Sequence, residues 1–381
     1  MRIALISSAE HNPNTGVSGT RLAFQKALQD LGVEVDTYFM DDLKSFSGGL
    51  LDRIIFPFKV ALRIKKWREY DLIDVASGDG WALTYMRNRP TIVFSSHGLE
   101  HLAHEEILKE SKEGNINLSW KYPIYWGGYR LWEVSKAIKK SEFSIVLNKN
   151  DKDYVVSQFG VAEEKVNIVQ NGVPEYFLNQ EFNKEKLDRK IIRIAQVGSY
   201  IQRKGIDYSS EVLNKILTKY SNVEVTFFGT GCSKERVLKD YDPQLTDRIS
   251  IVEKYDHREL PKYLENFHIN LFPSLSEGFG KTLIECMACG LAPITFETPG
   301  PLDIVTDGYD GIIVPKRNTK LLQESLEELI TNHELLNKIQ YNAYLTANRY
   351  SWETAAKTRL DVYKKALYTN SQTHKTYTIK N

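Results

Sequence analysis

The sequence has few cysteines and no excess of either charge. Its three cysteines, Cys232, Cys286 and Cys289, are too few and too clustered for a disulfide framework. Cys286 and Cys289 form a C-x-x-C pair, but no second pair completes a zinc site, and their apolar surroundings predict packing. The 50 basic residues balance 49 acidic ones, so no overall field indicates a nucleic acid partner.

Long apolar runs are also lacking. No stretch reaches 18 apolar residues, the length that a membrane-spanning helix needs. The short apolar run at residues 3–6 predicts no signal peptide. These absences predict a cytoplasmic protein, and they leave open a peripheral position at the inner face of the membrane.

Short apolar runs alternate with amphipathic helical segments along most of the chain. Several runs are continuous, as expected for parallel strands that are buried on both faces. The predicted strands are 3–7, 33–39, 72–76, 91–95, 143–147 and 166–169, then 193–197, 223–228, 249–252, 269–272, 293–296 and 312–314. Helical patterns between them, such as 19–31, 207–219 and 319–331, complete β-α-β units. The predicted fold class is therefore α/β, with two doubly wound domains.

A polar, charged segment over residues 175–190 separates the two series of strands. It follows the turn Asn171-Gly172-Val173-Pro174, and a strand with a glycine turn begins after it. We therefore expect Rossmann-like domains over residues 1–180 and 181–350. A last helix over 351–368 is expected to cross back to the first domain, followed by a frayed polar tail over 369–381.

The segment 269–290 carries the strongest chemical pattern. It predicts a strand, the turn Glu277-Gly278-Phe279-Gly280, and a helix. Glycines at the carboxyl end of a strand let the backbone approach a ligand closely, and the start of a helix suits a phosphate. Glu285 lies one to two turns into the helix, where its carboxylate could bind a ribose diol. Glu277 would face the group beyond the phosphates.

Two other interpretations of this segment stay open. Gly280-Lys281-Thr282 matches the end of a P-loop, but that pattern needs glycine where Leu275 stands. The segment also fits a plain strand-to-helix turn with a surface glutamate. The turns after other strands weigh against both.

Three such turns carry cations or glycines. Gly198-Ser199-Tyr200-Ile201-Gln202-Arg203-Lys204-Gly205 places two cations before a helix, where a lysine can neutralise a departing diphosphate. Taken alone, this turn also fits a solvated loop. Phe227-Phe228-Gly229-Thr230-Gly231 leaves room for a base or a phosphate. Gly16-Val17-Ser18-Gly19 opens the first helix but lacks the third glycine of a dinucleotide fingerprint.

A histidine lies at a similar position in the first half. His97 follows the predicted strand 91–95, at the edge where open α/β sheets bind ligands. A lone histidine often has only a structural role. The case for a function of His97 therefore depends on its position at this edge.

Together these segments resemble family 4 of the retaining glycosyltransferases, which have the GT-B fold of two Rossmann-like domains facing a central cleft. The resemblance covers nearly the whole chain. Its specific parts are the E-x7-E pair of Glu277 and Glu285, and Arg203-Lys204-Gly205. Asn171-Gly172-Val173 and Ser351-Trp352 also fit. The resemblance implies that the first domain binds the acceptor and the second the nucleotide-sugar donor.

The resemblance also implies roles for single residues. Lys204 would bind the donor diphosphate, Glu277 the hydroxyls of the donor sugar, and His97 would lie beside the transferred sugar. Glu285 would bind the ribose. The other predicted donor-binding residues are Gly16, Gly19, Ser199, Arg203, Gly229, Gly231, Gly278, Phe279, Gly280, Lys281, Thr282 and Leu283. Many members carry an arginine where this sequence has Ser199, so either Arg203 supplies the second positive charge or the donor is held differently.

Retaining transfer in this family is expected to need no metal ion and no cofactor besides the nucleotide sugar, linked to uridine or guanosine. The leaving phosphate would accept the acceptor's proton on the same face, and the protein would position and stabilise the departing diphosphate. Asp151-Lys152-Asp153 matches the D-x-D metal motif of another glycosyltransferase fold. It begins a predicted helix, however, where acidic residues act as caps.

Two segments of the first half bear on the acceptor. Residues 53–68 hold six cations and no acid, a pattern that suits an anionic membrane surface or an ordinary packed helix. The stretch from Trp120 to Trp132 is rich in aromatic residues, which stack on sugars or fill a core. We expect a saccharide or lipid-linked acceptor, in cell-envelope or exopolysaccharide synthesis. The alternatives are a sugar epimerase or phosphorylase of the same fold and a non-catalytic protein that binds nucleotide sugars or polysaccharides.

Overall fold

The computed structural model describes residues 1–12, 16–43, 49–114, 116–182 and 190–379, with side chains up to residue 372. The chain divides into two compact units. Unit 1 comprises Met1–Gly172 and Trp352–Asn381, and unit 2 comprises Val173–Ser351. The chain therefore leaves unit 1 once and returns to it with the last helix.

Unit 1 is built on a parallel sheet. Within the described residues its strands are β1 (Arg2–Ile6), β2 (Glu34–Tyr38), β3 (Leu72–Ala76), β4 (Thr91–Ser95), β5 (Phe143–Val146) and β6 (Val166–Ile168). They lie in the order β2-β1-β3-β4-β5-β6, with Ile3 aligned to Leu72 and Val75 to Phe94. β3 and β4 are buried along their whole length, which explains why they are apolar apart from Asp74 and the terminal Thr91 and Ser95.

Unit 2 repeats this architecture. Its strands, counted over the described residues, are β7 (Ile192–Val197), β8 (Val223–Phe228), β9 (Ile249–Val252), β10 (Ile269–Phe272), β11 (Ala292–Phe296) and β12 (Ile312–Val314). All pair in parallel, in the order β12-β11-β10-β7-β8-β9. The order reverses between β7 and β10. In open α/β sheets, ligands bind beyond the carboxyl ends of the strands at such a point.

Helices flank both sheets. In unit 1 they are α1 (Gly16–Asp30), α2 (Leu50–Leu62), α3 (Ile64–Trp67), α4 (Glu100–Lys112), α5 (Arg130–Lys140) and α6 (Lys149–Phe159). In unit 2 they are α7 (Glu175–Leu178), α8 (Ile206–Lys219), α9 (Lys234–Leu238), α10 (Leu260–Leu264), α11 (Lys281–Ala288), α12 (Pro299–Leu302), α13 (Thr319–Thr331) and α14 (His333–Ala347). The last helix, α15 (Trp352–Ile379), belongs to unit 1.

The predicted strands all form, each within one residue of its expected ends. The helices differ more. α1 begins at Gly16 rather than Gly19, and α15 continues to Ile379, past the expected end at residue 368. The prediction of a frayed tail after 368 is therefore wrong for the described backbone. Residues 369–379 contain neither glycine nor proline, so nothing in this polar sequence stops a helix.

α15 is held in unit 1 by apolar packing and by a buried ion cluster. Ala356, Val362 and Tyr363 join the core that lies between α1 and the sheet. Arg359 Nη2 lies 2.6 Å from Asp74 Oδ2 on β3, and Arg21 of α1 pairs with the other carboxylate oxygen. Burial alone would raise the pKa of Asp74, but the two guanidinium groups outweigh it and hold that pKa well below its ordinary value.

Candidate active site

Unit 2 carries a tightly built turn at the reversal of its strand order. The turn after β7 contains Gly198 at φ +137° and Gly205 at φ +69°, with Lys204 between them. A Cβ on Gly205 would lie 1.9 Å from the carbonyl oxygen of Pro273, which follows β10. Only glycine therefore fits at this position, and its close approach brings the preceding lysine against the loop after β10.

Hydrogen bonds tie this turn to the loop after β10. The Leu275 N–H donates to the Arg203 carbonyl at 2.9 Å, and Arg203 Nη1 donates to the Ser276 carbonyl at 3.1 Å. The turn and the loop come from strands that are neighbours in the sheet but far apart in sequence. Lys204 directly follows Arg203, and Glu277 directly follows Ser276, so these two side chains are held in fixed relative positions.

Lys204 and Glu277 form the ion pair at the centre of this arrangement. Lys204 Nζ donates to Glu277 Oε1, and Arg203 Nη1 lies 3.7 Å from the same oxygen. Both partners of the central pair are mostly buried, with 17% and 12% of their side chains exposed. The ammonium group also lies 5.3 Å from the centroid of the Phe272 ring. The site thus presents two cations beside one carboxylate, which suits an anionic group that carries hydroxyls.

The start of α11 adds backbone donors to the site. Gly280 precedes the helix at φ +91°, no side chain caps it, and its first turn contains no acid. The N–H groups of Lys281, Thr282 and Leu283 have no partner within the helix, and the positive end of the dipole lies with them. A Cβ on Gly300 would lie 2.5 Å from the Phe279 backbone, so α12 supports this turn from behind. Such a helix start favours phosphate.

Glu285 is enclosed, a feature that the sequence did not indicate. Its side chain has 0% exposure and lies on α11. His257 Nε2 is 3.0 Å from Glu285 Oε1, and Lys281 Nζ is 3.7 Å from the same atom. Oε2 is buried and has no hydrogen-bond partner among the described residues. The predicted contact with a ribose therefore needs a neighbouring side chain to move.

The remaining donor-binding predictions fall around this centre. Ser199 is exposed on the turn after β7, and Gly278 lies in the loop before α11. Gly229 and Gly231 both have positive φ at the end of β8. A Cβ on Gly229 would lie 3.0 Å from the Tyr255 ring, so an aromatic side chain covers the space predicted for a base or phosphate.

The predicted residues of unit 1 lie at the carboxyl edge of its own sheet. Gly16 and Gly19 form the first turn of α1. His97 follows β4, and its Nε2 is buried without a partner in the part of the chain that the structure describes. Burial, together with the Arg21 and Arg359 guanidinium groups, lowers the pKa of His97 from 6.5 to about 3. His97 is therefore a neutral ring at physiological pH.

Two family models match the chain and together span most of it. The model for glycosyl transferases group 1 matches residues 179–346, and the model for glycosyltransferase family 4 matches residues 22–175. These are the segments that contain the Lys204–Glu277 pair and His97. The chain belongs to the group 1, family 4 glycosyltransferases.

Glycosyltransferases of other organisms align with much of the chain. An uncharacterised glycosyltransferase of Methanocaldococcus jannaschii is 25% identical over 315 residues, covering 82% of this chain and 79% of that protein. The capsular polysaccharide biosynthesis glycosyltransferase CapM of Staphylococcus aureus is 26% identical over 266 residues, covering 69% of this chain and 67% of that protein. Both similarities extend across the two units.

Solved structures share the fold. Sucrose-phosphate synthase from Thermosynechococcus elongatus superposes with a TM-score of 0.77 at 16% identity, covering 97% of this chain and 100% of that one. The Anabaena protein HepE in complex with UDP superposes with a TM-score of 0.69 at 15% identity, covering 96% and 100%. At these identities the comparison shows the GT-B fold alone.

The aromatic and basic segments of this glycosyltransferase meet in unit 1. Phe58 on α2 packs against Trp81, with 5.3 Å between ring centroids, and Trp81 packs against Trp132 of α5 at 4.8 Å. The Arg53 guanidinium carbon lies 6.0 Å from the centroid of the Trp126 ring. The rings of Tyr125 and Tyr129 connect Trp126 to Trp132. Arg53, Phe58, Trp81, Trp126 and Trp132 therefore form one aromatic–basic surface, which joins the basic segment 53–68 to the aromatic stretch 120–132. Phe58, Trp126 and Trp132 are between 42% and 46% exposed.

The basic segment of the glycosyltransferase is less regular than predicted. α2 ends at Leu62, and Arg63, at φ −91° and ψ 22°, separates it from α3. Lys59 Nζ lies 3.2 Å from the buried carboxylate of Asp52, which directly precedes the segment. Phe56, Val60 and Trp67 are buried, whereas Leu62 is 81% exposed. The segment thus both packs and presents an apolar, basic face. In the described residues, no helix is long and apolar enough to cross a membrane.

Other predicted features have structural explanations. Asp151 lies in the first turn of α6, where its N–H donates to the side chain of the capping residue Asn148. Lys149 and Asp153 form an ion pair at 2.6 Å on the same helix. Cys286 is buried and Cys289 is partly exposed, and neither forms a disulfide. No group of three metal-ligating side chains occurs within the described ranges.

Three residues around Glu285 were not predicted from the sequence. His257, Tyr176 and Tyr255 contact or approach the carboxylate, yet none belongs to a motif. Tyr255 and His257 follow β9 at the carboxyl edge of the sheet, and that position is a signal which could have identified them. Tyr176 follows the turn that opens unit 2, and its sequence gives no such signal.

Proposed function

We propose that this glycosyltransferase moves a sugar from a nucleotide sugar to a saccharide or lipid-linked hydroxyl, with retention at the anomeric carbon. The observation that carries the proposal is the Lys204–Glu277 pair, held at the reversal of strand order beside the uncapped start of α11. Two cations and a row of backbone donors suit a diphosphate, and a neighbouring carboxylate suits sugar hydroxyls.

The same groups account for the chemistry. The bond between the anomeric carbon and the diphosphate oxygen breaks, and negative charge develops on the leaving group. Lys204, Arg203 and the start of α11 would stabilise that charge, while Glu277 fixes the sugar. The acceptor oxygen then bonds to the anomeric carbon on the same face, and its proton passes to the leaving phosphate. HepE, which shares the fold, is known in complex with UDP, and this supports a nucleotide donor.

The donor can be identified by thermal shift. We expect UDP or GDP, and one or more of their sugar conjugates, to raise the Tm because a ligand that binds the native state stabilises it. Lys204→Ala should then lower kcat/KM by roughly 100- to 1,000-fold, the usual cost of removing one transition-state donor. The matched control is Lys215→Ala, since Lys215 forms an exposed pair with Glu211 on α8.

The outcomes separate enzyme from binding protein. Nucleotide binding without transfer to any saccharide acceptor would indicate a non-catalytic protein. Activity within twofold of wild type in Lys204→Ala would contradict the proposed role of the ion pair. Transfer in EDTA is expected to match transfer without it, and a loss would contradict metal-independent transfer.

We place the acceptor at the aromatic–basic surface of unit 1. Exposed Trp126 and Trp132 can stack on sugars, and neighbouring cations suit anionic lipid headgroups. The similarity to a capsular polysaccharide glycosyltransferase supports a role in cell-envelope or exopolysaccharide synthesis. A lipid-linked acceptor would bring the protein to a membrane surface.

Vesicle flotation tests the membrane contact. We expect the protein to float with vesicles that contain phosphatidylglycerol and to remain behind with phosphatidylcholine alone. Arg53→Glu combined with Lys65→Glu should weaken vesicle binding by about 30-fold or more because both side chains are exposed and each cation near an anionic surface contributes about 1 kcal/mol. Lys215→Glu with Lys320→Glu, in unit 2, is the matched control. Equal flotation of the two double variants would contradict membrane contact through the basic segment 53–68.

A further inference from the structure

A chain of hydrogen bonds ends at the Glu285 carboxylate. The Tyr176 hydroxyl lies 2.6 Å from His257 Nδ1, and His257 Nε2 lies 3.0 Å from Glu285 Oε1. A carboxylate only accepts hydrogen bonds, so Nε2 must carry a hydrogen. When the ring is neutral, Nδ1 accepts from the tyrosine hydroxyl. The contact with Glu285 therefore assigns the donor role to Nε2, and the second contact ties Tyr176 to the other ring nitrogen.

Both donors of the chain are held in place by their surroundings. His257 begins a short 3-10 turn whose N-cap, Asp256, accepts from the Arg258 N–H at 2.9 Å. The Phe177 ring lies 5.4 Å from the imidazole. Burial and the Glu285 charge raise the pKa of Tyr176 to about 12, so its hydroxyl keeps the hydrogen that it donates. The imidazole is consequently hydrogen-bonded at both ring nitrogens and packed against the Phe177 ring.

The carboxylate itself is incompletely bonded. Glu285 is fully buried, and its Oε2 has no partner among the described residues, which is costly for a charged group unless a ligand supplies one. Of its two neighbours, Lys281 is 3.7 Å away, beyond hydrogen-bond distance, and its side chain is 29% exposed. Lys281 can therefore move aside, whereas His257 is held at both ring nitrogens.

We propose that His257 is a positioning residue for the donor: it fixes one oxygen of Glu285 so that the other meets the ribose hydroxyls, and Tyr176 fixes His257. The inference rests on the proposed function, in which Glu285 binds the ribose. Without His257, the buried carboxylate would lose its hydrogen bond and turn away from the ribose. The effect should appear only for ligands that carry ribose hydroxyls.

The test compares ribonucleotides with their 2′,3′-dideoxy forms. Binding of UDP, GDP and the two dideoxy diphosphates to the full-length protein is measured by calorimetry. For wild type we expect the ribo form of the preferred base to bind about tenfold or more tightly, as hydrogen bonds to a charged group allow. His257→Ala should reduce that ratio to about twofold by weakening the ribo form alone, and Glu285→Ala should abolish it.

Conservative variants distinguish positioning from folding. His257→Gln can still donate to Glu285 and should restore most of the ratio, while Tyr176→Phe should lower it about threefold, as expected for one lost hydrogen bond of modest strength. Glu259→Ala, an exposed residue of the same turn, is the control and should leave the ratio unchanged. If His257→Ala misfolds, Tyr176→Phe decides the matter.

The experiment distinguishes a failure of the positioning role from a failure of the proposed function. A wild-type protein that binds neither diphosphate would contradict the donor assignment itself. A ratio that falls in Glu285→Ala but not in His257→Ala or Tyr176→Phe would overturn the positioning role alone. Equal weakening of ribo and dideoxy forms in His257→Ala would also overturn it, because that pattern indicates a general structural role.

Discussion

His97 is a buried histidine whose environment disfavours its charged form. Its pKa lies at about 3 in the folded protein, against 6.5 for an ordinary histidine, chiefly because of burial. Between these values the unfolded chain binds a proton that the folded chain does not. The free energy of unfolding of unit 1 should therefore fall as the pH is lowered from about 6.5 towards 3. In His97→Gln that decline should be shallower.

Urea unfolding at several pH values measures this effect. All six tryptophans, Trp67, Trp81, Trp120, Trp126, Trp132 and Trp352, lie in unit 1, so their fluorescence follows that unit. His101, with a pKa lowered to about 4, contributes in the same direction. Burial raises the pKa of Glu133 to about 7, which acts in the opposite direction. His333→Gln, at an exposed site in unit 2, is the control. An unchanged slope in His97→Gln would contradict the buried, neutral state of His97.

At the scale of the elements, Asp74 joins four parts of unit 1. Its carboxylate on β3 contacts Arg21 of α1, Ser95 of β4 and Arg359 and Tyr363 of α15. Asp74→Asn would leave two buried guanidinium groups without a counter-charge. We expect a loss of about 3–5 kcal/mol in the free energy of unfolding, the usual cost of breaking a buried pair.

The companion variant is Arg359→Met, which removes one cation and leaves the Arg21–Asp74 pair intact. Its cost should be smaller because no buried charge is left unpaired and a flexible apolar chain can fill the space. Tryptophan fluorescence in urea compares the two variants. A larger loss for Arg359→Met than for Asp74→Asn would mean that packing of α15, rather than the charge of Asp74, dominates.

The strands could be predicted from the sequence because a parallel strand buried on both faces is a mostly apolar run, as in β1. The end of α15 and the break at Arg63 could not, since polar sequence permits both helix and coil and packing decides between them. The Asp74–Arg359 contact spans 285 positions and has no local signal.

The candidate site, like the fold, could be predicted only in part. Glu277 and Lys204 each follow a strand within a glycine turn, so local patterns indicated them as candidates. Their contact across 73 positions depends on the strand order, which places β7 beside β10. The enclosure of Glu285 by His257 was not foreseen because it needs a third loop, after β9, to reach the same edge. Sequence identifies the groups, and topology determines which of them meet.

At the scale of the whole molecule, unit 2 is a single continuous insertion into unit 1. Val173 and Ser351 pair in an isolated bridge, and the Val173 N–H donates to the Tyr350 carbonyl at 2.8 Å. The chain therefore enters and leaves unit 2 at one point. Unit 2 has its own continuous apolar core. Lys204, Glu277, Glu285 and α11 all belong to unit 2. Unit 2 therefore has the separate core and the single connection point that are typical of an independent domain.

We therefore expect residues 173–351, expressed alone, to fold cooperatively and to bind the nucleotide that stabilises the full-length protein. Residues 1–172 alone should not fold. Without α15 they lose Ala356, Val362 and Tyr363 from their core and leave Asp74 and Arg21 without Arg359. Circular dichroism and thermal melts measure folding of each fragment, and thermal shift measures binding to the first.

The decisive control restores α15 to unit 1. A chain of residues 1–172 joined by a short glycine-serine linker to residues 352–381 should recover a cooperative melt, because Gly172 and Trp352 directly flank the paired Val173 and Ser351. Its tryptophans should again be shielded, since Trp67 is fully buried and Trp352 packs edge to face against Phe24. A cooperative melt of residues 1–172 without α15 would show that the last helix is dispensable to unit 1, and the buried ion cluster would then be a consequence of folding rather than a requirement for it.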